Sequence, residues 1–203
     1  MPLSARKQEE RQARKARIVE AALKVIHEKG LEAAKLEEIA AEAGFGRASL
    51  YYYFPSREHL FGYIFELGWN RLWTAIEEDV NRSGSPRERF MAIMKKINHL
   101  ALEDRVLYTF LFTGPKVLLN LPGTEQVWKD SQSRLYAVLR GLLEEGMAEG
   151  EFPRMNAGVL MRALGGVFHG LLFLGDGKRA VDEDEIEEMI SRLLEVPPLE
   201  ETP

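Results

Sequence analysis

Four consecutive residues, Gly46-Arg47-Ala48-Ser49, place one long cation among three small neighbours. Small residues at a helix N-terminus let its backbone approach the floor of a nucleic-acid groove, and an arginine there can donate two hydrogen bonds to a guanine edge. Around this run, Lys35, Ser49, Tyr51, Tyr52 and Arg57 are side-chain types that bind phosphate oxygens, contacts that fix register without reading sequence. No acidic residue stands between Ala43 and Arg57. In a chain of net charge −5, such a gap marks a surface suited to an anionic partner.

Those side chains need a rigid support, and residues 36–54 supply the pattern of a helix-turn-helix. Such a unit requires a small residue where the two helices cross, a turn residue able to adopt a left-handed backbone, and apolar residues locking the helices together. Ala40 is the small residue and Gly44 follows it by four. Ile39, Ala43, Phe45, Leu50 and Tyr53 form the lock. Tyr51 is equally suited to packing or to phosphate contact. The glycines near Phe45 do not make a dinucleotide loop, because no strand precedes them and Ser49 stands where the third glycine would be.

With these residues in place, the stretch from about 14 to 61 resembles the DNA-binding domain of TetR-family transcriptional repressors. The likeness rests on Ile18, Ala21-Ala22, Gly30, Ile39-Ala40, Ala43-Gly44 and Leu50-Tyr51, followed by Phe54 and Leu60. It implies a homodimer with an N-terminal helix-turn-helix and a larger helical domain that binds a small effector and releases DNA. Two positions depart from the family pattern, which often has Thr or Ser where this chain has Lys35 and Ser where it has Gly46. Each departure removes a hydroxyl that could cap a helix or touch phosphate.

The rest of the 203-residue chain reads as all-α, with about nine helices and no strand alternation. The expected division is a DNA-binding domain over 1–56 and an effector-binding and dimerisation domain over 57–203. Ser85-Pro86 opens one helix as N-cap and first residue, and Thr124 opens another. Two final helices are expected over 156–175 and 183–195. On the first of them Gly165, Gly166 and Gly170 imply a close approach, either by a second copy of the chain across a two-fold axis or by a ligand or neighbouring helix of the same chain. The resemblance favours the dimer.

Trp69, Met94, Phe110, Trp128, Phe168 and His169 are the candidate effector-binding residues, drawn from an aromatic and Met-rich set on the middle and late helices. Arg134, Arg140 and Arg162 are further candidates for an anionic group on the effector, although each also suits the surface. No cysteine is present, which excludes disulfides and thiolate chemistry. The four histidines lack metal-ligand spacing, so neither metal nor cofactor is expected. No nucleophile elbow, zinc-protease or P-loop motif occurs, so no enzyme is indicated. A charged N-terminus and an apolar stretch interrupted by Arg162 and His169 point to a cytoplasmic chain that does not enter a membrane.

Charge is distributed unevenly. Residues 1–60 carry 11 basic and 9 acidic side chains, whereas residues 176–203 carry 3 and 10. Six of the basic residues, Arg6, Lys7, Arg11, Arg14, Lys15 and Arg17, fall in the first 17, where they form either a solvated helix face or a DNA-contacting arm. The alternative reading of the whole chain is a small-molecule carrier or enzyme in which the helical hairpin is only structural.

Overall fold

The structure is a computed structural model that describes residues 2–113, 124–173 and 181–195. Side chains are described for 5–112, 130–171, 181, 182 and 184–194. Nine helices and no strand occur among the described residues: α1 (Pro2–Lys29), α2 (Leu36–Glu42), α3 (Arg47–Tyr53), α4 (Arg57–Asn81), α5 (Pro86–Glu103), α6 (Arg105–Thr113), α7 (Thr124–Glu149), α8 (Ala157–Phe173) and α9 (Glu183–Glu195). The expected all-α class and helix count hold, and α8 and α9 lie within two residues of their expected limits. The helices are grouped in two compact units, Met1–Trp69 with Val106–Trp128, and Asn70–Arg105 with Lys129–Pro203.

In the first unit, α1 buries Ile18, Ala22, Val25 and Ile26 against the short pair α2 and α3, whose own core residues are Ile39, Ala40 and Leu50. Seven-residue helices are too short to be stable alone in water, so their order comes from this packing. The first half of α4 and α6 continue the unit through edge-to-face contacts of Phe110 with Phe61 at 6.0 Å and with Phe65 at 6.5 Å. Across the same seam, Gly68 lets the Leu107 and Leu111 side chains approach α4.

In the second unit the sequence signals for α5 are realised in full. The Glu88 N–H donates to Ser85 Oγ at 3.2 Å, the Ser85 N–H donates to the Glu88 carboxylate at 3.4 Å, and Pro86 is the first helical residue. A buried carboxylate, Asp79 on α4, is neutralised by Lys96 of α5 at 2.5 Å and by Arg82 at 3.5 Å. Gly146 on α7 allows Phe152 to fold back over the helix, where its ring meets Phe90 edge-on at 6.0 Å. A Cβ at Gly146 would lie 2.4 Å from Phe152 Cδ2. Gly146→Ala is therefore expected to cost about 1–2 kcal/mol, because displacing a packed ring outweighs the gain in helix propensity. Thermal unfolding should register it as a drop of a few degrees.

Candidate nucleic-acid interface

The turn between α2 and α3 sets the orientation of the second helix. Gly44 has φ +70°, its N–H donates to Ala41 O at 3.1 Å, and the Phe45 N–H reaches back to Ala40 O at 2.8 Å. This paired closure needs a residue at home in the left-handed region, which explains glycine here. Arg17 of α1 seals the turn by donating to Ala43 O at 3.0 Å and lying 5.2 Å over the Phe45 ring. The apolar lock is present as read from sequence: Ile39, Ala43 and Leu50 are buried, while Phe45 and Tyr53 are half-buried and meet edge-on at 6.3 Å.

The outward side of α3 carries the expected residues. Gly46 is its N-cap, with extended backbone and open space around it, followed by Arg47 and Ala48, both exposed, and by Ser49, half-buried. Tyr52 is 71% exposed, whereas Tyr51 is half-buried. Lys35 is the N-cap of α2 and is exposed. Neither Lys35 nor Gly46 provides a side-chain cap, as their departure from the hydroxyl pattern implies. Lys35, Tyr51 and Arg57 are brought together around one concavity of about 420 Å³, which Leu36, Glu37, Pro55 and Ser56 complete.

Sequence reasoning missed one residue of this surface. The stretch from Ala43 to Arg57 lacks acids along the chain, but in space Glu37 of α2 reaches it, 3.0 Å from the Arg47 guanidinium and 3.4 Å from the Tyr51 hydroxyl that donates to it. Residue spacing within α3 carries no signal for a neighbour on another helix. The Tyr51 hydroxyl first, and the Glu37 carboxylate next, raise the pKa of Arg47 above its ordinary value, so the group is a cation at any physiological pH. Arg57 is also engaged: it donates to Glu32 O at 2.9 Å and lies over Phe61, which ties the α1–α2 connection to α4.

The candidate effector residues fall in both units. Trp69 and Phe110 are buried in the first, and the Trp69 indole N–H has no hydrogen-bond acceptor among the described residues. Met94 and Phe168 are buried in the second, and His169 is half-buried there. The Trp128 side chain lies outside the described residues. Of the three candidate arginines, Arg134 lies over the Trp73 ring at 4.0 Å, Arg140 pairs with Glu144 at 2.8 Å and Arg162 is exposed. No helix among the described residues is long and apolar enough to cross a membrane, and no three metal-ligating side chains cluster among them.

Residues 18–64 match the family described as bacterial regulatory proteins, tetR family. This stretch is a TetR-family DNA-binding domain. Over 90% of its length it resembles a crystal structure of a TetR/AcrR-family transcriptional regulator from Thermobifida fusca, covering 96% of that chain at 26% identity and a TM-score of 0.66. The crystal structure of AibR in complex with isovaleryl coenzyme A and operator DNA shares the fold, with a TM-score of 0.74 at 18% identity over 89% of this chain and 97% of that one. In sequence, 134 residues (66% of this chain and 68% of the relative) are 25% identical to the fatty acid metabolism regulator protein of Bacillus subtilis. TetR-family relatives are transcriptional regulators, which sets aside the reading of this chain as an enzyme.

Within this TetR-family surface, Glu37 offers a direct mutational handle. Glu37→Gln is expected to tighten DNA binding by up to about fivefold, the range of one exposed ion pair, since Arg47 then has no carboxylate to leave. Titration of a labelled duplex by mobility shift measures it.

Proposed function

We propose that the chain is a homodimeric transcriptional repressor that binds a near-palindromic operator and leaves it when a small, largely hydrophobic effector binds. The observation that carries this reading is the outward face of α3, where one exposed arginine stands among small residues beside a concavity lined by two cations and a tyrosine. In it Arg47 reads a base edge, Gly46 and Ala48 allow the groove floor to come close, and Lys35, Ser49, Tyr51, Tyr52 and Arg57 hold phosphates. Two copies of α3 would enter successive major grooves about 34–36 Å apart. Such a protein acts where the DNA is, in the cytoplasm.

The dimer forms through α8 and α9. Val159, Val167, Leu171 and Leu193 are exposed, and nothing among the described residues lies within 4 Å of a Cβ placed at Gly165, Gly166 or Gly170. That open space disfavours the intrachain explanation of the glycines and suits a second copy of the same face.

The working division of the chain is 1–56 for DNA and 57–203 for effector and dimer. Within the first unit, Trp69 and Phe110 are the effector contacts of this reading. Trp69 offers a buried donor with no acceptor among the described residues, which suits an effector carrying a carbonyl or carboxylate oxygen on an apolar body. The names of the fatty acid metabolism regulator and of the AibR complex point the same way, toward an acyl group. Because α4 contains both Arg57 and Trp69, an effector that tilts it would change the separation of the two recognition helices. A coupling of about 1–3 kcal/mol would lower operator affinity 5- to 150-fold. Mobility-shift titration with and without acyl thioesters tests the whole reading, and an operator complex indifferent to all of them removes the effector part.

A further inference from the structure

The face of α1 that packs into the helix-turn-helix changes chemistry where it leaves the core. Val25, Ala22 and Ile18 are buried on it, and at helical spacing the same face continues as Arg14, Arg11 and Lys7. Those three cations line one concavity of about 360 Å³ together with Gln8, Glu10, Tyr52 and Tyr53. Arg11 lies 5.9 Å from the centre of the Tyr52 ring, at the C-terminal end of the recognition helix. Arg14 is paired with Glu10 at 2.6 Å, whereas Lys7 and Arg11 pair with no carboxylate among the described residues.

The cations of α1 divide by task. Lys15 lies over the Tyr63 ring at 4.3 Å and Arg17 donates to Ala43 O, so both hold α1 onto the fold. Lys7, Arg11 and Arg14 are all exposed, and what Arg11 and Arg14 touch on the fold is the tyrosine end of α3, Arg11 at the Tyr52 ring and Arg14 at Tyr53. Three of the six cations in the first 17 residues thus meet on the side of α1 that borders α3, beside Glu10. From residue 7 to residue 14 the helix rises about 10 Å, close to the rise of three phosphate-to-phosphate steps along one strand.

We propose that Lys7, Arg11 and Arg14 form a phosphate clamp that extends the DNA contact past the recognition helix, onto the strand passing the C-terminal end of α3. The proposal rests on the DNA-binding reading above and adds a second, sequence-independent contact to it. Full-length protein carrying K7A, R11A and R14A together should show a salt dependence of operator affinity shallower by about 0.9 per lost phosphate, or about 2–3 in total, with the ranking of operator variants unchanged. The charge-keeping set K7R, R11K and R14K should restore the steep slope, since the clamp acts through charge. Thermal unfolding should be the same for all three proteins, because the side chains are exposed. An unaltered slope in the alanine variant overturns the clamp alone, as does failure of the charge-keeping set to restore it. A wild-type chain that binds no duplex overturns the DNA-binding reading, and the clamp with it.

Discussion

Arg47→Ala is expected to weaken the preferred operator complex roughly 5- to 150-fold and to flatten the preference among operator variants. The side chain is the first residue of α3 and is 70% exposed, so its loss leaves the fold intact and removes only what the guanidinium contacts. Two neighbours set the size of the effect. Glu37 holds Arg47 in the unbound chain, and Tyr51 lies 5.6 Å below the guanidinium. In the proposed complex, entry into a groove would exchange the Glu37 carboxylate for a base edge, so the measured loss should be smaller than the bare contact. The coupling is testable: Glu37→Gln should tighten binding in the wild-type chain and have little effect once Arg47 is alanine. Equal weakening on every duplex would instead make Arg47 a phosphate contact.

The second large effect is expected at the opposite end of the chain. Val167→Glu with Leu171→Glu should convert the proposed dimer to monomer and reduce operator affinity by at least about 100-fold, since two-fold symmetry would place four unpaired carboxylates in one interface. Both residues are 37% exposed, on the α8 face that also carries the open glycines, so the isolated chain should keep its helicity, while its unfolding temperature falls by what dimerisation contributes. Sedimentation of the variant beside the wild type reads the oligomeric state, and mobility shift reads the affinity. A variant that remains dimeric would move the interface away from α8.

What was legible in the sequence is local. The crossing at Ala40 and the left-handed turn at Gly44 follow from residue size and backbone freedom four positions apart, and both are present in the fold. Ser85, Pro86 and Glu88 foretell their helix start because the capping bonds span only three residues. What was not legible is long-range. Glu37 meets Arg47 across two helices, Arg57 spends one nitrogen on carbonyls some 25 residues earlier in the chain, and Asp79 hides its charge against Lys96. None of these pairings leaves a periodic trace. The grouping of α6 with α1–α3 and the first half of α4 is of the same kind, set by Phe61, Phe65 and Phe110 meeting in space.

Selection of duplexes from a random pool by the full-length protein, followed by mobility-shift titration of the enriched sequence, tests the central claim most directly. The account predicts a near-palindrome whose half-site centres lie about one helical turn apart, with Arg47→Ala relaxing the choice at one position in each half. A pool that returns no sequence bound above non-specific affinity at low salt would contradict it.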